Sequence, residues 1–232
     1  MEANVAGTLN LLEAARHQGV KRFVFASSGA PVGEVEPPIH EELAPRPVSP
    51  YGASKLAGEG YCSAYHRTFG LETMALRFGN VYGPGSSHKS SLVAKFIRQA
   101  FEGTPCEIYG DGEQTRDFVF IQDLVDALLK AALFTAPPPP FPPALPWGLP
   151  FQIATSREHT VNEVAELLRE RLEARGVPVT LTHGEPRLGD VRRNYSDTTR
   201  ARQRLGWQAE TDLPAGLDAT IDWFQKRADV FA

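Results

Sequence analysis

Val20-Lys21-Arg22-Phe23-Val24-Phe25-Ala26-Ser27-Ser28 is the stretch that decides the fold. Its aromatic and β-branched side chains predict a strand over Val20 to Ala26, and the run closes on two hydroxyls. Before it, Val5, Leu9, Leu12 and Ala15 recur at the spacing of one helix face, and that helix is expected to stop near Gly19. After it comes a polar, proline-punctuated loop, Gly29 to Pro50, then a second helix from Tyr51 to about Phe69 that Gly70 closes. A short strand is expected over Leu71 to Arg77. Helix and strand in alternation is the pattern of an α/β fold built on a mainly parallel sheet.

The alternation continues downstream. Gly79 to Ser90 reads as a loop, Ser91 to Phe101 as a helix, Cys106 to Tyr109 as a strand and Gly110-Asp111-Gly112 as a turn. Phe118 to Ile121 and a helix from Asp123 to about Phe134 follow. The prolines at 137–140, 142, 143, 146 and 150 exclude helix and central strand, so this stretch is expected to be an exposed loop of polyproline-II character. Beyond it lie an expected strand at Phe151 to Ala154, a helix from Thr160 to Arg175, a strand at Pro178 to Leu181 and two final helices.

The chain has 232 residues, 42% of them hydrophobic, enough for one substantial core. With 24 Lys and Arg against 28 Asp and Glu, the net charge of -4 gives no bulk attraction to nucleic acid or to anionic lipid. No apolar run spans a bilayer and Met1-Glu2-Ala3-Asn4 lacks the order of a secretory signal, so the chain is expected to be soluble and cytoplasmic. Cys62 and Cys106 form no disulfide framework and, like the scattered histidines, show no zinc spacing; no metal is expected.

In Tyr51-Gly52-Ala53-Ser54-Lys55 a phenol and an amine stand four residues apart, hence on one helix face. A nearby cation favours phenolate over phenol, so the spacing can make a usable base of a group whose ordinary pKa is about 10. Taken alone, the pair also suits an exposed helix surface. Ser27 and Ser28 end a strand, and in an open parallel sheet such ends face the ligand crevice, although the hydroxyls can equally cap the strand.

Several motifs occur together: Asn4-Val5-x-Gly7-Thr8, Ser27-Ser28, Pro50-Tyr51-x-x-x-Lys55, Arg77-Phe78-Gly79-Asn80-Val81-Tyr82-Gly83-Pro84, Gly110-Asp111-Gly112-x-Gln114-Thr115-Arg116-Asp117 and Gly189-Asp190-Val191-Arg192. In this order and with these gaps the chain resembles the extended short-chain dehydrogenases that act on nucleotide sugars, the NAD-dependent epimerase/dehydratase family. The resemblance implies that Tyr51 is the catalytic base and acid, that Lys55 holds the nicotinamide ribose, and that Ser28 hydrogen-bonds the reacting sugar oxygen. It places Asn4, Ser27 and Phe78 beside NAD, with Tyr51 and Lys55. Asn80, Arg116, Arg187 and Asp190 are implied contacts to a nucleotide-diphosphate sugar. A planar guanidinium suits phosphate oxygens, although an Arg can equally form a surface salt bridge and Asn80 a turn.

The fold so implied is a partial Rossmann-like parallel sheet with a smaller α/β substrate-binding domain. Residues 1–135 would form the remaining half of the NAD-binding domain, with 86–115 contributing to the substrate side, and residues 136–232 would form mainly the substrate domain. Relatives open with a strand and a GxxGxxG-type turn that receives the cofactor pyrophosphate, and no such turn occurs here. The chain is therefore expected to be a truncated form that binds NAD poorly, with one edge of the Val20–Ala26 strand bare. By family analogy, its first two helices pair in a homodimer.

The implied reaction is nucleotide-sugar 4-epimerisation through transient hydride transfer to NAD. A dehydratase or decarboxylase of the family would need a carboxylate after the active-site hydroxyl, where Gly29 and Ala30 stand. A reductase of the family, or a fragment that binds nucleotide sugars without catalysis, is the remaining alternative. Asn194, four residues after Asp190, resembles the position that limits acyl substituents on the sugar.

Overall fold

In a computed structural model, residues 2–135, 145–187 and 191–227 are described. A π-helical turn, Ala3–Gly7, leads into α1 (Thr8–His17), and β1 covers Arg22–Ser28. The strand starts two residues later than expected because Gly19, at φ 65°, turns the chain there. It also runs two residues further, so that Ser27 and Ser28 belong to it. Helix α2 (Pro50–Phe69) begins with proline in its first turn, where the missing N–H costs no hydrogen bond, and Ser49 Oγ accepts the Gly52 N–H at 3.0 Å. Gly70, in the left-handed conformation, ends it as expected.

The chain goes on through β2 (Glu72–Phe78), β3 (Asn80–Tyr82), α3 (Leu92–Phe101), β4 (Cys106–Tyr109), β5 (Thr115–Arg116), β6 (Phe118–Phe120) and α4 (Ile121–Ala132). It then forms β7 (Leu149–Ile153), β8 (His159–Thr160), α5 (Val161–Glu173), β9 (Leu181–Gly184), α6 (Thr199–Leu205) and α7 (Leu213–Gln225). Strand β3 lies inside the stretch expected to be loop; three residues between Gly79 and Gly83 are too few to show a strand period. Strand β9 lies downstream of the expected Pro178–Leu181, because Pro178 has no N–H to pair and Val179 packs on the apolar core instead. Residues 137–144 of the proline-rich stretch lie outside the described residues; its end is not exposed loop, since Trp147 is packed inside and Pro150 belongs to β7, at an end of the three-strand order where a missing N–H is tolerated.

The main sheet is parallel, in the order β1-β2-β7. On one face, α1 and α2 bury Leu12, Phe25, Cys62 and Ala75; on the other, α4 and α6 bury Met74, Leu76, Phe151 and Trp207. Among the described residues no strand pairs with the outer edge of β1. A second apolar cluster joins α3, α5 and α7 around Phe96, Leu168 and Phe224, and carries the parallel pair β4-β9. The boundary expected at 135/136 does not divide the packing. Strand β7 and helix α6, both from the later stretch, complete the main sheet and its cover, because Phe151 and Ile153 supply the apolar row facing Leu76 and Phe78. Among the described residues no helix is long and apolar enough to cross a membrane.

Candidate functional site

At the C-terminal ends of β1 and β2 the chain brings together residues from distant stretches. Ser28 is the last residue of β1 and stands opposite Phe78 at the end of β2. Its Oγ accepts the Ala30 N–H at 3.2 Å, which curls the chain over the strand tip. The first turn of α2 rests on this curl: a Cβ at Gly52 would lie 2.6 Å from the Ala30 carbonyl oxygen, so only glycine allows the approach. Tyr51 is thereby held beside the strand tip with half its surface (50%) exposed.

Lys55 lies one turn deeper. Its Nζ donates to the Ala26 carbonyl oxygen at 2.9 Å and sits 5.1 Å from the centre of the Phe25 ring and 5.8 Å from that of Tyr51. Partial burial among these groups pushes its pKa below the ordinary lysine value. Asn4 reaches α2 from the π-helical turn: its Nδ2 donates to Ser54 Oγ at 3.0 Å, and that hydroxyl donates to the Tyr51 carbonyl at 2.7 Å. Asn4 thus braces the turn that carries Tyr51.

Ser27 departs from the expected group. Successive side chains of a strand point to opposite faces, and Ser27 is buried under α2, where its hydroxyl donates to Glu59 Oε1 at 2.6 Å. Its side chain is a part of the interior, not of the open crevice. The Phe78 side chain packs against the cluster beneath α4.

Across the strand ends lies a cleft of about 230 Å³ lined by Asn80, Lys95, Glu107, Tyr109, Arg116 and Arg187, among others. Asn80 opens β3, with only Gly79 between it and the end of β2, and its N–H donates to the Asp117 carbonyl at 2.8 Å. Arg116 Nη1 donates to the carbonyls of Thr115 and Val191, at 2.6 and 2.7 Å, which holds the guanidinium at the cleft wall. A neighbouring hollow of about 320 Å³ shares Tyr109, Gln114 and Arg187 and adds Asp111 and Arg192, which pair at 2.8 Å. Asp190 lies outside the described residues. Asn194 N–H donates to Thr115 Oγ1 at 3.3 Å.

Lys95 and Tyr109 belong to this cleft and have no counterpart among the residues singled out from the sequence. The Lys95 ammonium lies 4.7 Å from the centre of the Tyr109 ring and donates to its hydroxyl at 3.3 Å. The signal available was a lone lysine on the polar face of an amphipathic helix, which ordinarily faces solvent.

Asp117 sits between β5 and β6, fully buried. Its Oδ1 accepts from Thr155 N–H and Oγ1 at 2.7 and 2.6 Å, and its Oδ2 from the N–H groups of Ser156 and Ser196 at 3.0 and 3.3 Å. Burial still outweighs these bonds and pushes its carboxyl above the usual range.

Residues 1–139 match the NAD dependent epimerase/dehydratase family. The chain is 37% identical over 229 residues to a UDP-glucose 4-epimerase of Mycolicibacterium smegmatis, covering 97% of this chain and 69% of that protein. It is 36% identical to a putative UDP-glucose 4-epimerase of Methanocaldococcus jannaschii, covering 97% and 70%. Among solved structures, the UDP-glucose 4-epimerase of Thermotoga maritima with UDP-glucose superposes with a TM-score of 0.87 at 35% identity, over 98% of this chain and 71% of that one. The Thermus thermophilus UDP-glucose 4-epimerase in complex with NAD gives 0.82 at 35% identity, over 97% and 70%. Sequence likeness of this extent, agreeing with the fold from end to end, makes the chain a member of the NAD dependent epimerase/dehydratase family.

Proposed function

We propose that the chain is the catalytic and substrate-binding part of a nucleotide-sugar 4-epimerase, with Ser28, Tyr51 and Lys55 at the reacting carbon and Asn80, Arg116 and Arg187 on the diphosphate. The observation that carries this reading is the placement of the Lys55 ammonium, 2.9 Å from the Ala26 carbonyl and 5.8 Å from the centre of the Tyr51 ring.

The residues present fit the nicotinamide-ribose end of NAD. An ammonium has three donors, and the Ala26 carbonyl takes one, leaving Lys55 able to bind ribose hydroxyls. When bound, NAD supplies the two-electron acceptor for the sugar carbon. The chain's own groups handle the proton and the geometry. Tyr51 removes the proton of the sugar 4-hydroxyl and returns it to the same oxygen after the ring has turned over. Lys55 offsets the negative charge that collects on the phenol oxygen meanwhile, and the Ser28 hydroxyl donates to the sugar oxygen. Arg116 and Arg187 hold the diphosphate while the sugar turns, so the same carbon is presented twice. The overall change is stereochemical, with no net oxidation.

Because the chain is expected to bind NAD weakly without a glycine-rich pyrophosphate turn, the test is to incubate it with UDP-glucose and NAD raised until turnover no longer increases, and to follow the anomeric proton signals by NMR. Formation of UDP-galactose, lost in Tyr51→Phe, is the expected result. No 4-epimer from UDP-glucose, UDP-N-acetylglucosamine or UDP-glucuronate would overturn the proposal.

A further inference from the structure

Glu59 is a buried carboxylate for which the proposed reaction has no use. It lies on α2 four residues beyond Lys55 and eight beyond Tyr51, so the three share one helix face at successive steps. Its Oε1 accepts from Ser27 Oγ at 2.6 Å and Arg77 Nε at 2.8 Å, and its Oε2 accepts from Arg77 Nη2 at 2.7 Å. Ser27, Arg77 and Glu59 are exposed by only 3, 2 and 8%.

Stability does not account for this group well. Burying an ion pair costs desolvation that its attraction often fails to recover, and Arg77 Nη1 finds no partner among the described residues, which adds to the cost. Geometry accounts for it better. Ser27 and Arg77 are register partners on β1 and β2, one row below the row of Ser28 and Phe78 that ends both strands. The carboxylate therefore joins α2 to both strands immediately under the site, through a planar two-bond fork that tolerates little displacement.

We propose that Glu59 is a positioning residue. It sets the height and rotation of α2 against β1 and β2, and through them the placement of Tyr51 and Lys55 relative to Ser28. The same assignment explains Ser27, whose hydroxyl is the β1 end of the tie. The proposal rests on the roles given above to Ser28, Tyr51 and Lys55, but on no particular sugar.

Three variants separate positioning from simple support. Glu59→Gln keeps the side-chain size and one acceptor, Glu59→Asp keeps the charge and draws it back by one methylene, and Ser27→Ala cuts the β1 tie and leaves the ion pair whole. The first measurement is turnover of UDP-glucose with NAD at a temperature where circular dichroism shows each variant folded. The expected result is a kcat lower by roughly 10- to 100-fold in both Glu59 variants, with KM within about twofold, and a smaller loss of kcat in Ser27→Ala. Unchanged kcat in folded variants, or a raised KM alone, would overturn the proposal.

The second measurement needs no turnover. Amide exchange at Ala30, Gly52 and Ala53, which hydrogen-bond around the strand tip and the first turn of α2, is expected to quicken while the rest of the chain exchanges as before. Exchange that quickens uniformly, or not at all, would show ordinary support and overturn the proposal. If the parent chain turns over no sugar, the proposed function falls and exchange still decides the part played by Glu59. If the Glu59 variants fail to fold, Ser27→Ala carries both measurements.

Discussion

Ile39 and Ser196 form a parallel β-bridge: the Ile39 N–H donates to the Tyr195 carbonyl at 2.9 Å, and the Ile39 carbonyl accepts the Asp197 N–H at 2.8 Å. The bridge ties the loop that leads to Tyr51 to the stretch that follows Val191, whose carbonyl holds Arg116. Ion pairs flank it. Arg193 reaches Glu158 at 2.7 Å and Glu36 at 2.8 Å, and Arg200 reaches Glu42. The wall of the cleft that holds Arg116 and the approach to the helix that carries Tyr51 are thus one connected strap.

Arg193→Ala removes the pairs to Glu158 and Glu36 and leaves the backbone bridge and the Arg200–Glu42 pair in place. Exposed pairs contribute little to global stability, so the thermal midpoint is expected to stay nearly unchanged. Amide exchange at Ile39 and Asp197 should quicken, because the tie from Arg193 to Glu36 on the loop is lost and only the bridge and the contacts of Glu41 and Glu42 remain. Mass-resolved exchange on the folded variant checks this, and protection equal to the parent's would show that the arginine is idle.

The strap also has a pH dependence whose sign can be worked out. Hydrogen bonds from Arg193 and Thr115 hold the Glu158 carboxyl below its ordinary 4.5, and those from Thr199 hold Asp197 below its ordinary 3.8. A carboxyl depressed in the folded state adds stability above its unfolded pKa and loses it as pH falls through the folded one. Asp117 has the opposite sign: burial raises its pKa, so between 3.8 and its raised value the folded chain binds the extra proton and stability falls as pH rises. Urea unfolding between pH 7 and 3 should therefore show a loss on acidification that is shallower in Glu158→Gln.

How much of this was legible in the sequence depends on the range of the interaction. Tyr51 and Lys55 could be read because a helix brings residues four apart to one face, whereas Asn80 and Arg116 are legible only through the motifs that carry the family resemblance. The resemblance separates Ser28 from Ser27, but that Ser27 faces Glu59 in the interior could not be read, since the face that α2 covers is a matter of tertiary packing. Glu59 was passed over because its partners are 32 and 18 residues away. Lys95 looked like a solvated helix position, and only the approach of β4 and its Tyr109 brings it to a cleft wall.

Asp117→Asn places an amide where four donors converge. The new NH2 group faces donors in place of one oxygen, and at least one buried N–H is left without an acceptor. The expected cost is about 2 to 3 kcal/mol, read as a lowered urea midpoint. Because the Asp117 carbonyl holds the Asn80 N–H, UDP binding measured by calorimetry should weaken as well.

Lys55→Met keeps the length of the side chain and removes its charge. With the ammonium gone, nothing offsets the charge on the Tyr51 oxygen, and turnover is expected to fall by roughly 100-fold or more. The proposed diphosphate contacts line the cleft beyond the strand ends, so the dissociation constant of UDP should change by less than about twofold. A loss of UDP affinity equal to the loss of turnover would mean that the cleft and the Lys55 region are not separate.

Gly52→Ala tests the seat of the helix that carries Tyr51. The added methyl would lie 2.6 Å from the Ala30 carbonyl oxygen and 3.1 Å from Pro47 Cβ, and neither is the free end of a flexible chain. Something must shift, at a cost of about 1 to 3 kcal/mol. The two ways of yielding have different signatures. If α2 slides along the sheet, Lys55 leaves the Ala26 carbonyl and turnover falls with little change in KM. If the Gly29–Ala30 curl opens instead, the Ser28 hydroxyl loses the Ala30 N–H and the loop gains freedom. The tie at Glu59 resists the slide, so the curl is expected to give way first. Exchange at the Ala30 amide should then rise well before exchange at Ala53, and a rise in the reverse order would place the weak point in the helix.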